Sequence, residues 1–106
     1  MVPITEINPP SPLSFKKEGS VVFLIETPNT AKACALVSQH QKAIACIFFY
    51  GEGVLSSTSP AWQTFATTLL VCSKSAEHYK IDTLPLAGLP TFVAYALQAE
   101  QVIQIK

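Results

Sequence analysis

At 106 residues the chain is long enough for one compact domain and too short for two. Hydrophobic residues make up 49% and charged residues only 13%, which argues against disorder of the whole chain. The formal net charge of 0 leaves no strong field to attract nucleic acid or an anionic membrane. The small share of charge fits either a large core or a surface partly buried against other subunits, and we favour the second.

The sequence predicts a cytoplasmic protein with free thiols. Its longest apolar stretch, residues 43–49, falls far short of the ~18 residues that a membrane helix needs. The N-terminus does not have the pattern of a signal peptide. No C-x-x-C motif occurs, so neither a zinc knuckle nor a redox dithiol is supported, and no metal or organic cofactor is expected. The free thiols are Cys34, Cys46 and Cys72.

In chain order, residues 1–19 carry four of the eight prolines and are predicted to form an N-terminal arm before a domain at 20–106. The run VVFLI at 21–25 predicts a strand covered on both faces, and 30–41 predicts a helix. A second buried strand follows at 43–50, ended by glycines.

The second half continues the alternation. Ser59 and Pro60 predict a helix start, and Trp62, Phe65 and Ala66 share one face of that helix. A third strand is predicted at 69–72, a helix from Ser73 or Ser75 to Tyr79, and a loop containing Pro85 and Gly88. The last helix begins near Pro90, before a strand at 102–105. Its predicted apolar face consists of Leu89, Phe92, Val93, Ala96 and Leu97.

This order predicts an α/β fold: a small three-layer sandwich with a mostly parallel sheet of about four to five strands and helices on both faces. In such folds, chemistry gathers outside the carboxyl ends of the strands. Three segments are expected at that edge, 27–29, 50–54 and 72–75.

Among the cysteines, Cys34 falls in a predicted helix and Cys46 in a buried strand, so both are interpreted as core residues. Cys72 lies where a strand meets a helix, and the helix dipole there would favour a thiolate. Lys74 and His78 add positive charge to that segment, and Ser73 can cap the helix. Position alone leaves Cys72 open between a buried strand end and a working thiol.

Two other segments have simpler interpretations. The stretch ETPNTAK at 26–32 contains no glycine to wrap a phosphate, so we interpret it as helix capping. FFYGEGV at 48–54 predicts either a glycine-bent loop with a solvated Glu52 or a carboxylate at the active edge. His40 and His78 are interpreted as solvated surface residues, and the absence of G-x-S-x-G gives no support to a serine hydrolase.

FFYGEGV, the following AWQ, and the strand ending LLVCSKSAEHY resemble the DsrE/TusD family of sulfur-relay proteins. The closing stretch LAGLPTFVAYALQAEQVIQI is also similar to the last helix and strand of that family. The resemblance covers roughly residues 20–106. It implies that Cys72 is the persulfide-bearing cysteine of a sulfurtransferase. The residues it implies as supporting Cys72 are Tyr50, Gly51, Glu52, Gly53, Ser73 and Lys74.

The resemblance implies a persulfide donor and an acceptor protein as partners, and assembly as trimers or hexamers, alone or with related subunits. In the family the sulfur enters either tRNA thiolation or sulfur oxidation. The loop at 26–30 and the stretch from Trp62 to Cys72 are shorter than is usual there. Two alternatives stay open: a non-catalytic assembly subunit with an inert Cys72, and a flavodoxin-like domain that binds a small anion.

Overall fold

The structure is a computed structural model that describes residues 17–40, 44–82 and 84–106, with only the backbone of residues 17–19. Strands and α-helices alternate in most of this part of the chain. They are β1 (Lys17–Ile25), α1 (Thr30–Ser38), β2 (Ile44–Phe49), β3 (Thr68–Cys72), α2 (Ser73–Tyr79), β4 (Leu86–Ala87), α3 (Leu89–Gln98) and β5 (Ala99–Ile105). Two 3₁₀ helices, Gly51–Thr58 and Pro60–Thr64, connect β2 to β3.

The five strands form one parallel sheet in the order β4-β3-β2-β1-β5. The α/β class, the parallel sheet and the helices on both faces are therefore confirmed. The first strand begins at Lys17, inside the stretch that the sequence assigned to the arm, while residues 1–16 lie outside the described residues. The predicted strand start at residue 43 also lies outside them.

Apolar residues that alternate along the strands divide the core into two clusters, because successive side chains of a strand point to opposite faces. The α1-face cluster is packed by α1, α2 and the 3₁₀ helices. Its largest fully buried members are Phe23, Ile25, Ile47, Phe49 and Trp62. The α3-face cluster has as its buried members Val22, Cys46, Phe48, Cys72 and Ala99. The α3 helix packs on it through Phe92 and Tyr95.

Trp62 closes the α1 face. Ser59 caps the second 3₁₀ helix by accepting from the backbone of Ala61, as the sequence predicted, although the element is 3₁₀ rather than α. The indole of Trp62 is fully buried, stacks edge-on against Phe49 and donates through Nε1 to the carbonyl of Ser56 at 2.9 Å. Ser56 and Ser57 are buried, because their hydroxyls donate to carbonyls three residues earlier.

Candidate functional site at the carboxyl edge

Cys72 ends β3 at the carboxyl edge of the sheet, at the position that the sequence predicted for it. It is paired with Ala87 of β4 and is the N-cap residue of α2. Its side chain does not cap the helix, and it belongs to the α3-face cluster, whereas α2 packs on the opposite face through Ala76. The thiol is therefore held below the sheet edge, on the side covered by α3, and Cys72 is only 3% exposed.

Tyr50 lies beside Cys72. Phe49 of β2 pairs with Val71 of β3, and Tyr50 and Cys72 are the next residues of the two neighbouring strands. The backbone of Tyr50 is still extended, so its side chain points to the face opposite that of Phe49 and packs against the α3-face cluster. Parallel neighbours are about 4.8 Å apart, so the half-buried Tyr50 ring and the Cys72 thiol share one side of the edge.

The loop after Tyr50 is tied to the helix after Cys72. The backbone N–H of Gly51 donates to the hydroxyl of Ser75, 24 residues later, at 2.9 Å. Gly51 has a φ of +57°, the left-handed region that glycine adopts without a side-chain clash. This hydrogen bond fixes the FFYGEGV loop against the first turn of α2. Ser75 therefore links the two motifs that resemble the sulfur-relay family.

Gly53 turns inward onto β1. A Cβ atom built on Gly53 would lie 1.9 Å from the carbonyl oxygen of Ile25, so only glycine fits the backbone at this approach. The buried Val54 that follows it is part of the α1-face cluster. Gly53 is thus required by packing on the face opposite the one into which Cys72 points.

The charged residues of the predicted site are solvent-facing. Glu52 is exposed in the first turn of its 3₁₀ helix, Lys74 is exposed on α2, and Ser73 is half-buried at the first position of that helix. In the described residues, no hydrogen bond joins any of the three to the Cys72 thiol. The structure thus brings Tyr50 next to Cys72 and brings Gly51 onto Ser75, but it leaves Glu52 and Lys74 at the surface.

The other two cysteines, Cys34 and Cys46, are held as neutral thiols by burial. Burial raises the pKa of Cys46 to about 12 and also raises that of Cys34, because a thiolate is poorly solvated inside the protein. Cys46 is fully buried within β2, and Cys34 packs against the edge of the α1-face cluster. Their environments suit neutral thiols that fill space, as the sequence predicted.

We expect the buried thiol of Cys46 to make the protein less stable in alkali. Between about pH 9 and about pH 12 the unfolded chain ionises this thiol before the folded chain does, so the free energy of unfolding falls as the pH rises. Going from about pH 8 to about pH 10, wild type should lose about 1 kcal/mol more than Cys46→Ala in urea unfolding. Equal losses in the two proteins would contradict the raised pKa.

Local capping explains the segment after β1. The side chain of Asn29 accepts from the backbone of Lys32 at 3.1 Å, and Thr27 accepts from the backbone of Asn29. Both groups are used by the chain itself, which agrees with the capping interpretation. Within residues 17–40, 44–82 and 84–106, no cluster of three His, Cys, Asp or Glu side chains could hold a metal ion. None of the helices there is long and apolar enough to cross a membrane.

Sequence reasoning missed Glu26 and assigned Ser75 only a capping role. Glu26 follows β1 at the same edge, and its carboxylate accepts a hydrogen bond from the side-chain amide of Gln104 on β5. The available signal was that Glu26 is the first polar residue after VVFLI. Nothing in the sequence joins Gly51 to Ser75, because that contact depends on how β2 and β3 pair.

A cavity of about 380 Å³ opens at the other end of the sheet. Thr67, Thr68 and Ile44, at the starts of β3 and β2, line it together with Tyr95 and Gln98 of α3. The strands are parallel, so this amino edge is separated from Cys72 by the length of β3. The cavity is therefore not part of the Cys72 site.

Comparisons with known proteins support the fold. No family model matches the chain, and no curated protein matches it. Among solved structures it is similar to the ychN protein from E. coli, with a TM-score of 0.60 over 85% of this chain and 99% of that one. That protein has the DsrE/TusD-like fold. At 15% sequence identity, the likeness establishes the fold that the two proteins share and leaves activity open.

Proposed function

We propose that the protein is a cytoplasmic sulfur carrier of the DsrE/TusD type, with Cys72 as the residue that holds the sulfur. The observation that carries the proposal is the position of Cys72 at the carboxyl end of a central-sheet strand, where ligands and chemistry gather in parallel α/β folds. The DsrE-like fold and the FFYGEGV loop, tied to the Cys72–Ser75 turn, add support.

The proposed chemistry is a thiol–persulfide exchange. The Cys72 thiolate attacks the outer sulfur of a donor persulfide, the donor's S–S bond breaks, and the donor leaves as a thiolate. Cys72 then holds the sulfur as a persulfide, and the same exchange in reverse order passes it to an acceptor thiol. The number of S–S bonds is conserved, so the step needs no oxidant, metal or organic cofactor. In the proposed relay, the acceptor protein passes the sulfur on to tRNA thiolation or to sulfur oxidation.

Access to the thiol is the physical demand that this chemistry makes. A donor must reach Cys72, which is 3% exposed, so part of its cover has to move. The edge strand beside Cys72, β4, is only two residues long. It is held by the pairings of Leu86 with Val71 and of Ala87 with Cys72. Elements with so few contacts open locally at a small fraction of the global free energy of unfolding.

The same burial favours a second candidate, a non-catalytic DsrE-like assembly subunit. In that case Cys72 fills the α3-face cluster as Cys46 does, and the protein acts by binding related subunits. The two candidates differ in one measurable property, the ability of Cys72 to take up sulfur.

The test is sulfur loading of the purified protein by a cysteine desulfurase with cysteine, read by intact mass and peptide mapping. We expect wild type to gain one sulfur at Cys72, Cys72→Ser to gain none, and the matched control Cys34→Ser to load as wild type does. Loading spread over Cys34 and Cys46, or loading that survives in Cys72→Ser, would rule out the carrier. No uptake by any variant, with a donor that loads a known carrier, would favour the assembly subunit.

A further inference from the structure

The α3 helix carries no charged side chain. Between Asp82 and Glu100 the sequence contains no charged residue, and the ten residues of α3 are Leu89–Gln98. A surface helix normally carries polar residues on its solvent side, and a helix that is apolar all round is normally buried. Yet no residue of α3 is buried in the single chain. The helix therefore has a second apolar surface that its own sheet does not cover.

The exposed side of α3 is an ordered ridge. Phe92 and Tyr95 pack on the α3-face cluster, whereas Leu89, Val93 and Leu97 are 45%, 48% and 39% exposed. The last three are spaced by four residues, so they form one continuous row along the helix. The outward ridge, defined as Leu89, Val93 and Leu97, is thus a separate surface from the side that packs on the sheet.

A shallower row runs beside the outward ridge. Pro90 and Ala94 are the next residues along the helix, are exposed, and have small or compact side chains. A ridge of large side chains next to a row of small ones can interlock with the same pair of rows on another helix. The surface is therefore complementary to itself when the two helices are related by a two-fold axis.

Charge also favours a second copy of the chain as the occupant. An uncharged surface offers nothing to recognise a charged partner, and each copy presents the same uncharged helix. The formal net charge of 0 means that two copies approach without net repulsion. A partner of this surface must be apolar and weakly charged, and a second copy meets both conditions.

The area that a stable interface buries decides whether the outward ridge alone is large enough to form one. A helix of ten residues is about 15 Å long. The area that one face of such a helix buries is at the low end of what a stable interface needs, which is ~800 Å² per partner. Val102 of β5 is paired with Val22 of the α3-face cluster, so it faces the side of the sheet that α3 covers, where it is 44% exposed. Val102 therefore enlarges the same apolar surface.

We propose that the outward ridge of α3 packs against the same ridge of a second copy around a two-fold axis, crossing at about −50°. This inference names an interface and a partner, and it does not depend on sulfur transfer. Its readout is the mass of the assembly in solution, so it can fail while the carrier holds, or hold while the carrier fails.

The test is sedimentation velocity of wild type, Val93→Glu and the matched control Leu55→Glu. The exposed fraction of Leu55, 41%, is similar to the 48% of Val93. Leu55 lies on the first 3₁₀ helix, outside the outward ridge. We expect wild type and Leu55→Glu to associate equally. Val93→Glu should weaken association at least about 100-fold, because it faces a like charge across the axis. A monomeric wild type, or dissociation by Leu55→Glu and not by Val93→Glu, would overturn the proposal.

A charge-swap mixture separates a two-fold α3 contact from other uses of the ridge. Val93→Glu and Val93→Lys should each be dissociated alone and should associate when mixed, since opposite charges then meet across the axis. Circular dichroism checks that both variants are folded. Failure of the mixture to associate, with both variants folded, would mean that the ridge packs on a different surface, and the two-fold contact would be wrong.

Discussion

Replacing Gly53 with alanine should destabilise the protein by about 3 kcal/mol or more, because the new methyl group collides with backbone. It would lie 1.9 Å from the carbonyl oxygen of Ile25 and 2.6 Å from its carbon. That carbonyl cannot easily move, since it accepts from the backbone of Tyr50 at 2.9 Å at the end of the β1–β2 pairing. Urea unfolding followed by circular dichroism measures the loss.

Gly51→Ala is the matched control for this change. No atom beyond the adjoining residues lies within 4 Å of a Cβ at Gly51, so the penalty is its φ of +57°, which costs a non-glycine residue about 1–2 kcal/mol. The two substitutions add the same methyl group two residues apart, so their difference isolates the contact with β1. A larger loss in Gly51→Ala than in Gly53→Ala would contradict the packing described for this loop.

Replacing Phe92 with alanine should make Cys72 react with alkylating reagents roughly tenfold faster, if the thiol is uncovered by local opening of the α3 side. The Phe92 ring lies 5.2 Å from that of Phe48 in the α3-face cluster, which also contains Cys72. Removing it weakens the packing of the helix that covers this face. Peptide mapping after timed alkylation gives the rate at Cys72, and Cys46 in the same cluster should stay slow because of its raised pKa.

Trp62→Phe separates local from global opening. This substitution removes the Nε1 donor to the carbonyl of Ser56 and should lower the free energy of unfolding by about 1–3 kcal/mol. The lost contact lies on the α1 face, opposite the face that covers Cys72. If Cys72 is exposed only by unfolding of the whole domain, the logarithm of the alkylation rate should rise in each variant in proportion to its loss of stability. Such proportionality would contradict local opening. Acceleration by Phe92→Ala with none by Trp62→Phe, despite the stability that Trp62→Phe loses, would support it.

The main strands could be predicted because each is covered on both sides. A strand buried on both faces has no polar positions, so 21–25, 43–50 and 69–72 appear as continuous apolar runs. The β4 strand has no such signal. It is two residues long, lies between Pro85 and Gly88, and exists because Val71 and Cys72 offer it an edge. Its pairing is a tertiary effect, so its sequence looks like a loop.

The last helix was predicted in place and only partly in orientation. The five residues predicted as its apolar face are divided in the structure between a packed side at Phe92 and an exposed ridge at Leu89, Val93 and Leu97. Periodicity locates the inner side of a helix only when the other side is polar. Here both sides are apolar, so the sequence could not distinguish them.

The sequence could predict that the candidate site lies at the carboxyl edge of the sheet, but it could not predict which residues are in contact there. The position of Cys72 at a strand end follows from the apolar run before it, but its neighbours depend on which strands pair and in what register. Tyr50 adjoins Cys72 because Phe49 pairs with Val71. The depth of Cys72 beneath the edge depends on β4 and α3, elements that the chain supplies afterwards.

The sheet order has a consequence for how the chain is made. The β1 strand lies between β2 and β5, and its pairing with β5 joins Ile25 to Ile105 at the far end of the domain. During synthesis β1 can acquire one neighbour early, but the other only after β5 has left the ribosome. Until then a long apolar strand presents an open edge, the kind of surface on which nascent chains aggregate. Newly made protein should therefore depend on a chaperone until its last strand is complete.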